Sequence, residues 1–204
     1  MQIDIVLFDG FDDLDAIAPY EVFRTAEKFG ADLHADQVGA HGAATITTAH
    51  GTRLVVERGP SEDADLVLIP GGGWFDPGPG ARAESERGDL PAFLTAAHER
   101  GVTVGSVCTG AMVLASAGLL DGRPATTHQS AIAELRAAGA DVVDARVVDA
   151  GDVITAGGVT SGLDMALWVV EREAGAELAE RVADEVEHVR RGPVWTGGPK
   201  VPGP

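Results

Sequence analysis

The sequence predicts an α/β sandwich around a mainly parallel sheet. Three observations carry that expectation. Short, almost wholly apolar runs open the segments 3–8, 64–73, 102–107 and 152–158, as strands buried on both faces do. Stretches with apolar residues at helical spacing lie between them, the alternation of a parallel sheet covered by helices. Glycine-rich turns, "PGGG" at 70–73 and "SVCTG" at 106–110, directly follow two of the runs. Both turns therefore belong on the carboxyl edge of the sheet, where folds of this class build their sites.

Each element has its own warrant. "IDIVLF" (3–8) stops at Asp9-Gly10, a turn signal. Pro19 suits the first turn of a helix that continues through Val22, Phe23, Ala26 and Phe29 and is closed by Gly30. "DLHADQVG" and "RLVVE" read as further strands. Residues 89–101 form a helix with Pro91 near its start and Gly101 at its end, and 109–118 form another. Thr126, Thr127 and His128 lead into a helix at about 130–138, followed by a strand. Two helices, 160–175 and 176–190, close a single domain spanning 1–190. The remaining 191–204 are rich in Pro and Gly and read as an extended or mobile tail that contains Trp195.

Composition narrows the function. A chain of 204 residues buries a core large enough to need no disulfide or metal staple, and its single cysteine excludes an internal disulfide. No Cys/His cluster has zinc-ligand spacing. The N-terminus lacks a basic stretch and a cleavage site, and no apolar run is long enough for a membrane helix, so a cytoplasmic location is expected. Asp and Glu number 32 against 15 Lys and Arg, a net charge of −17, which repels nucleic acid and anionic membranes alike. Only Lys28 and Lys200 are lysines. This acidic, lysine-poor, Ala/Gly-rich balance resembles proteins that work in molar salt, where counterions screen self-repulsion; a high-GC genome with an acidic proteome gives the same pattern.

The chemistry centres on Cys108. A residue at a sharp strand-to-helix turn projects over the sheet edge, and Gly105 and Gly110 relieve crowding around it. The helix that follows directs its N-terminus at the sulfur and favours the thiolate. The Thr109 N–H, with N–H groups of "PGGG", provides an oxyanion hole; the same loop lacks the Lys-Ser/Thr of a phosphate-binding loop. The alternative is a small buried filler whose glycines serve packing. Asp9, Asp12, Asp13, Asp15, Glu21 and His128 are candidate partners for the thiol. Asp15 stands out because Leu14 and Ile17 can desolvate it and keep it protonated, although an ordinary N-cap also fits. His34, His41, His50, His98 and His188 lie in no such constellation.

"IVLFDGFDDLDAIAPYEVF", "LVLIPGG", "SVCTGAMVLASAGLLDGRPATTH" and "ITAGGVTSGLDMAL" occur in the order of the ThiJ/PfpI family, which the chain resembles from residue 3 to about 185. The resemblance implies a flavodoxin-like three-layer sandwich, similar to class I glutamine amidotransferases, with a nucleophile-elbow cysteine and usually a homodimer. Within the family the pattern is similar to the isonitrile hydratases, which carry an aspartate at the position of Asp15 and Cys-Thr-Gly at Cys108, Thr109 and Gly110. That likeness implies catalysis by Cys108, Asp15 and Thr109. It implies oxyanion or substrate binding by Gly71, Gly72 and His128, and hydration of a small-molecule isonitrile without metal or organic cofactor. Thr109 departs from the histidine that follows the cysteine in protease-like members. Ala18 replaces a usual glycine before the proline and narrows the pocket. Glyoxalase- or deglycase-like chemistry on α-oxoaldehydes, and a non-enzymatic thiol sensor of oxidative stress, are the alternatives.

Overall fold

Four apolar runs become the centre of the sheet, because only strands covered on both faces can bury every side chain. The computed structural model describes residues 1–197. In chain order the elements are β1 (Gln2–Leu7), α1 (Asp13–Lys28), β2 (His34–Gly39), β3 (Ala44–Thr47), β4 (Arg53–Val56), β5 (Leu66–Ile69), α2 (Ala81–Arg87), α3 (Asp89–Glu99), β6 (Thr103–Val107), α4 (Gly110–Ser116), β7 (Pro124–Ala125), α5 (Ile132–Ala137), β8 (Asp141–Val142), β9 (Val147–Asp149), β10 (Val153–Ala156), α6 (Ser161–Ala174) and α7 (Ala176–Glu185). The main sheet runs β2-β1-β5-β6-β10-β9, parallel throughout except for the antiparallel edge strand β9. α1, α6 and α7 pack together on one face, and α2, α3 and α4 on the other. This is the expected flavodoxin-like sandwich.

The register brings the carboxyl ends of β1, β5, β6 and β10 to one edge. The chain leaves that edge through residues 8–12, 70–73, 108–109 and 157–160. These four connections build the site.

The structure departs from several expectations. Pro19 does not open α1: the helix begins six residues earlier, at Asp13. Asp12 is the cap, its Oδ1 accepting the Leu14 N–H at 3.2 Å, and Asp13 and Asp15 put negative charge in the first turn. Pro19 is tolerated inside the helix, where it has no N–H to donate to the carbonyl of Asp15 four residues back. The strand expected after the 130–138 helix is present as β8, which pairs with β7 in a small two-stranded sheet. β3 pairs with β4 as an antiparallel hairpin, where the sequence offered a single strand. Trp195 does not drift away as a tail: its N–H donates to Val147 O at 3.0 Å and its carbonyl accepts the Asp149 N–H at 2.8 Å, covering the β9 edge. Of the tail expected at 191–204, residues 198–204 lie outside the described residues. Among the described residues no helix is long and apolar enough to cross a membrane.

Candidate active site

Cys108 sits directly after β6 with φ +58°, a left-handed conformation that a side chain rarely adopts. Such strain costs on the order of 1–3 kcal/mol and persists only where the surroundings enforce it. Here they do. The Cys108 N–H donates to both Ala156 O (3.0 Å) and Gly157 O (2.8 Å), and the Cys108 carbonyl accepts the Thr127 hydroxyl at 2.8 Å. The peptide is pinned on both sides, and the side chain is thrown over the sheet edge with 7% of its surface exposed.

Asp15 meets it there. It is fully buried in the first turn of α1, and its Oδ2 accepts the Gly71 N–H at 2.9 Å. Oδ1 is buried and receives no N–H or hydroxyl. The Cys108 thiol is close enough that each group shifts the ionisation of the other. Burial, aided by the neighbouring Asp12 charge, pushes the Asp15 pKa from 3.8 to about 7, against the pull of the Gly71 N–H and the thiol. Asp12, not Asp15, is the N-cap, so the capping explanation for Asp15 falls away.

The thiol moves the opposite way from the sequence argument. Burial pushes Cys108 up from 9.0 to about 12, and the Asp15 charge adds to this. The Val159 and Thr109 N–H groups pull it down without winning. α4 is only two turns long, and its influence cannot offset desolvation beside a carboxylate. The resting pair is therefore a thiol facing a carboxyl that titrates near neutrality.

The glycines have definite partners. The Gly71 N–H holds Asp15, and the Gly72 N–H donates to Thr109 Oγ1 at 2.9 Å. Neither stands open toward an incoming anion; both position the residues that flank the sulfur. A Cβ at Gly71 would lie 2.5 Å from Thr109 N, and one at Gly72 would lie 2.5 Å from Asp12 N. His128 is engaged with the residues that follow it. Its Nδ1 bonds Ser130 Oγ at 2.6 Å and caps the short 3₁₀ turn 129–131, while its ring packs on Gly158. Val159 and Thr127 were missed: a valine at φ +42° has no sequence signature, and Thr127 acts through a carbonyl 19 residues away. Among the described residues no cluster of His, Cys, Asp and Glu could hold a metal ion. Two shallow clefts lie at the opposite edge of the sheet, around Asp65 and Val102 and around Gln2 and His34.

Elbow cysteine, buried acid and glycine loop come in one arrangement, and the sequence matches the DJ-1/PfpI family across residues 1–172. The chain belongs to the DJ-1/PfpI family. It is 34% identical over 202 residues to isonitrile hydratase of Pseudomonas putida, covering 98% of this chain and 83% of that relative. It is 30% identical over 184 residues to the HTH-type transcriptional regulator CdhR of Pseudomonas aeruginosa, 88% of this chain but 53% of the regulator. The crystal structure of Drosophila melanogaster DJ-1beta, at 22% identity, superposes with a TM-score of 0.80 over 92% of this chain and 98% of that one, a likeness of fold alone. DJ-1/PfpI relatives thus include both an enzyme and a regulator.

Proposed function

We propose that this DJ-1/PfpI protein hydrates an isonitrile, R–N≡C, to the N-substituted formamide R–NH–CHO, with Cys108 as nucleophile and Asp15 as proton carrier. The observation that carries the reading is the buried Asp15 carboxyl against the Cys108 thiol, with one oxygen held by Gly71 and the other unpartnered. The likeness to the Pseudomonas putida hydratase over nearly the whole chain supports it.

Isonitrile hydration adds a nucleophile and a proton to the same terminal carbon. A thiol and a neighbouring carboxylate supply both. Asp15 accepts the thiol proton as sulfur attacks the carbon, then delivers that proton to the carbon. The product is the thioimidate R–N=CH–S–Cys108. Water then attacks the thioimidate carbon, giving one proton to nitrogen through Asp15. The adduct collapses to R–NH–CHO, and the hydroxyl proton returns to sulfur through the same carboxyl. Atoms balance as R–NC plus water. The Val159 and Thr109 N–H groups stabilise the sulfur whenever it carries charge. Thr109 Oγ1 and the two glycines keep acid and thiol in register. The slim, linear isonitrile carbon suits a sulfur with so little exposed surface.

Purified protein given cyclohexyl isocyanide and, separately, methylglyoxal tests the assignment. The expected result is consumption of the isonitrile at a rate well above that of methylglyoxal. Preferential consumption of methylglyoxal establishes the oxoaldehyde reaction instead.

A further inference from the structure

The Cys108 peptide is gripped by the turn 157–160 between β10 and α6, where Gly157 O accepts the Cys108 N–H at 2.8 Å. Val159 lies there at φ +42°. A β-branched residue in that region is strained and stays put only when neighbours leave it no alternative. Its own chain provides part of the restraint. Ser161 N donates to Gly158 O at 3.0 Å, and Gly162 N to Val159 O at 3.2 Å. The His128 ring blocks Gly158 from one side. Arg146, on the β8–β9 connection, provides more. The Arg146 carbonyl accepts the Gly157 N–H at 2.9 Å. Its guanidinium reaches over the turn, with Nη2 donating to Thr160 Oγ1 at 3.2 Å and Nε to Asp164 Oδ2 at 2.7 Å. Asp164 is buried in the first turn of α6, and its other oxygen takes His188 Nε2 (3.0 Å) and the Arg191 N–H (3.1 Å). Main chain and side chain of Arg146 therefore hold both ends of the turn.

We propose that Arg146 is a positioning residue for the reacting sulfur: it locks the 157–160 turn, whose Gly157 carbonyl accepts the Cys108 N–H at 2.8 Å, and so fixes the elbow that carries the thiol. The role rests on the reading of Cys108 as nucleophile, yet its test needs no isonitrile. The direction in which the Val159 N–H shifts the thiol agrees with it. Asp15 is the titratable group beside the sulfur, and His128 stands behind Gly158.

Alkylation of Cys108 by iodoacetamide at fixed alkaline pH reads the thiolate fraction directly. Arg146→Met should slow it about tenfold, equivalent to about one pKa unit. Arg146→Lys should recover part of the rate. His188→Ala breaks only the far side of Asp164; it should lower Tm and leave alkylation within about twofold, a split expected when only the near side serves the sulfur. Alkylation of folded Arg146→Met at the wild-type rate or faster overturns the proposal, as does an equal slowing in His188→Ala. If Arg146→Met does not fold, Thr160→Val removes one guanidinium contact alone; slowing supports the role and a wild-type rate overturns it. Loss of the hydratase reading shows separately, as absence of formamide with these alkylation effects intact.

Discussion

Asp15 and Cys108 face each other across the junction of α1 and β6 as a buried carboxyl and a buried thiol, the first titrating at about 7 and the second at about 12. The order of these two ionisations decides the chemistry. The carboxylate forms first and suppresses the thiolate, so the pair starts each cycle with its proton on sulfur.

The first prediction follows from that order. kcat/KM for isonitrile hydration should rise with pH through about 7, as Asp15 becomes a base, and stay level to about pH 9 because the thiol ionises far above that range. Asp15→Asn should reduce hydration by about 10²- to 10⁴-fold. The same substitution removes the charge that raises Cys108, so alkylation by iodoacetamide near pH 9 should become severalfold faster. Initial-rate profiles and alkylation rates on the two proteins check both halves.

Asp15 also makes stability depend on pH. Its folded-state pKa lies above the ordinary 3.8, so between 3.8 and about 7 the native chain keeps a proton that the unfolded chain has released. The stability from this group is full below 3.8 and is lost as pH rises through about 7; the displacement corresponds to an upper value of roughly 4 kcal/mol. Asp15→Asn should therefore be more stable than wild type at pH 8, and the gap should close by about pH 4. Urea unfolding at the two pH values measures it.

Gly71→Ala tests the close approach of the glycine loop. The added methyl would lie 2.5 Å from Thr109 N and 2.6 Å from Thr109 Oγ1, with no flexible side-chain end to yield. Overpacking of this kind costs about 1–3 kcal/mol, and the shift also moves the N–H that holds Asp15. Lower Tm together with a fall in kcat is expected; lower Tm with unchanged kcat would mean that the Gly71 contact to Asp15 has no catalytic consequence.

Thr127→Val keeps the side-chain shape and removes the hydroxyl that serves the Cys108 carbonyl at 2.8 Å. Thr127 is buried, so the carbonyl loses its short partner without gaining water. A destabilisation of about 1–3 kcal/mol is expected by denaturant titration, with slower alkylation as the elbow relaxes.

The sheet was legible because its central strands are continuous apolar runs, and Cys108 was legible because its elbow has a glycine at each side. Asp15 could be picked out from its apolar neighbours, but not its relation to the cap, since Asp12, Asp13 and Asp15 are equivalent in sequence. Pro19 misled because a proline in a first turn and one inside a helix look alike until the cap is known. β9 is three residues long and carries no period of its own, so neither it nor its pairing with Trp195 could be read. The sign of the thiol shift was hidden for another reason: it depends on burial and on a carboxylate 93 residues away in the chain, both set only by the packed fold.

Intact-protein mass spectrometry of a quenched turnover mixture with cyclohexyl isocyanide, read alongside formamide release, tests the shared Asp15–Cys108 chemistry most directly. Wild type should carry an adduct of one isonitrile on Cys108 and release formamide, while Cys108→Ala does neither and Asp15→Asn releases formamide about 10²- to 10⁴-fold more slowly. Formamide made by Cys108→Ala at the wild-type rate, or none from wild type in either dilute or molar salt, contradicts the account.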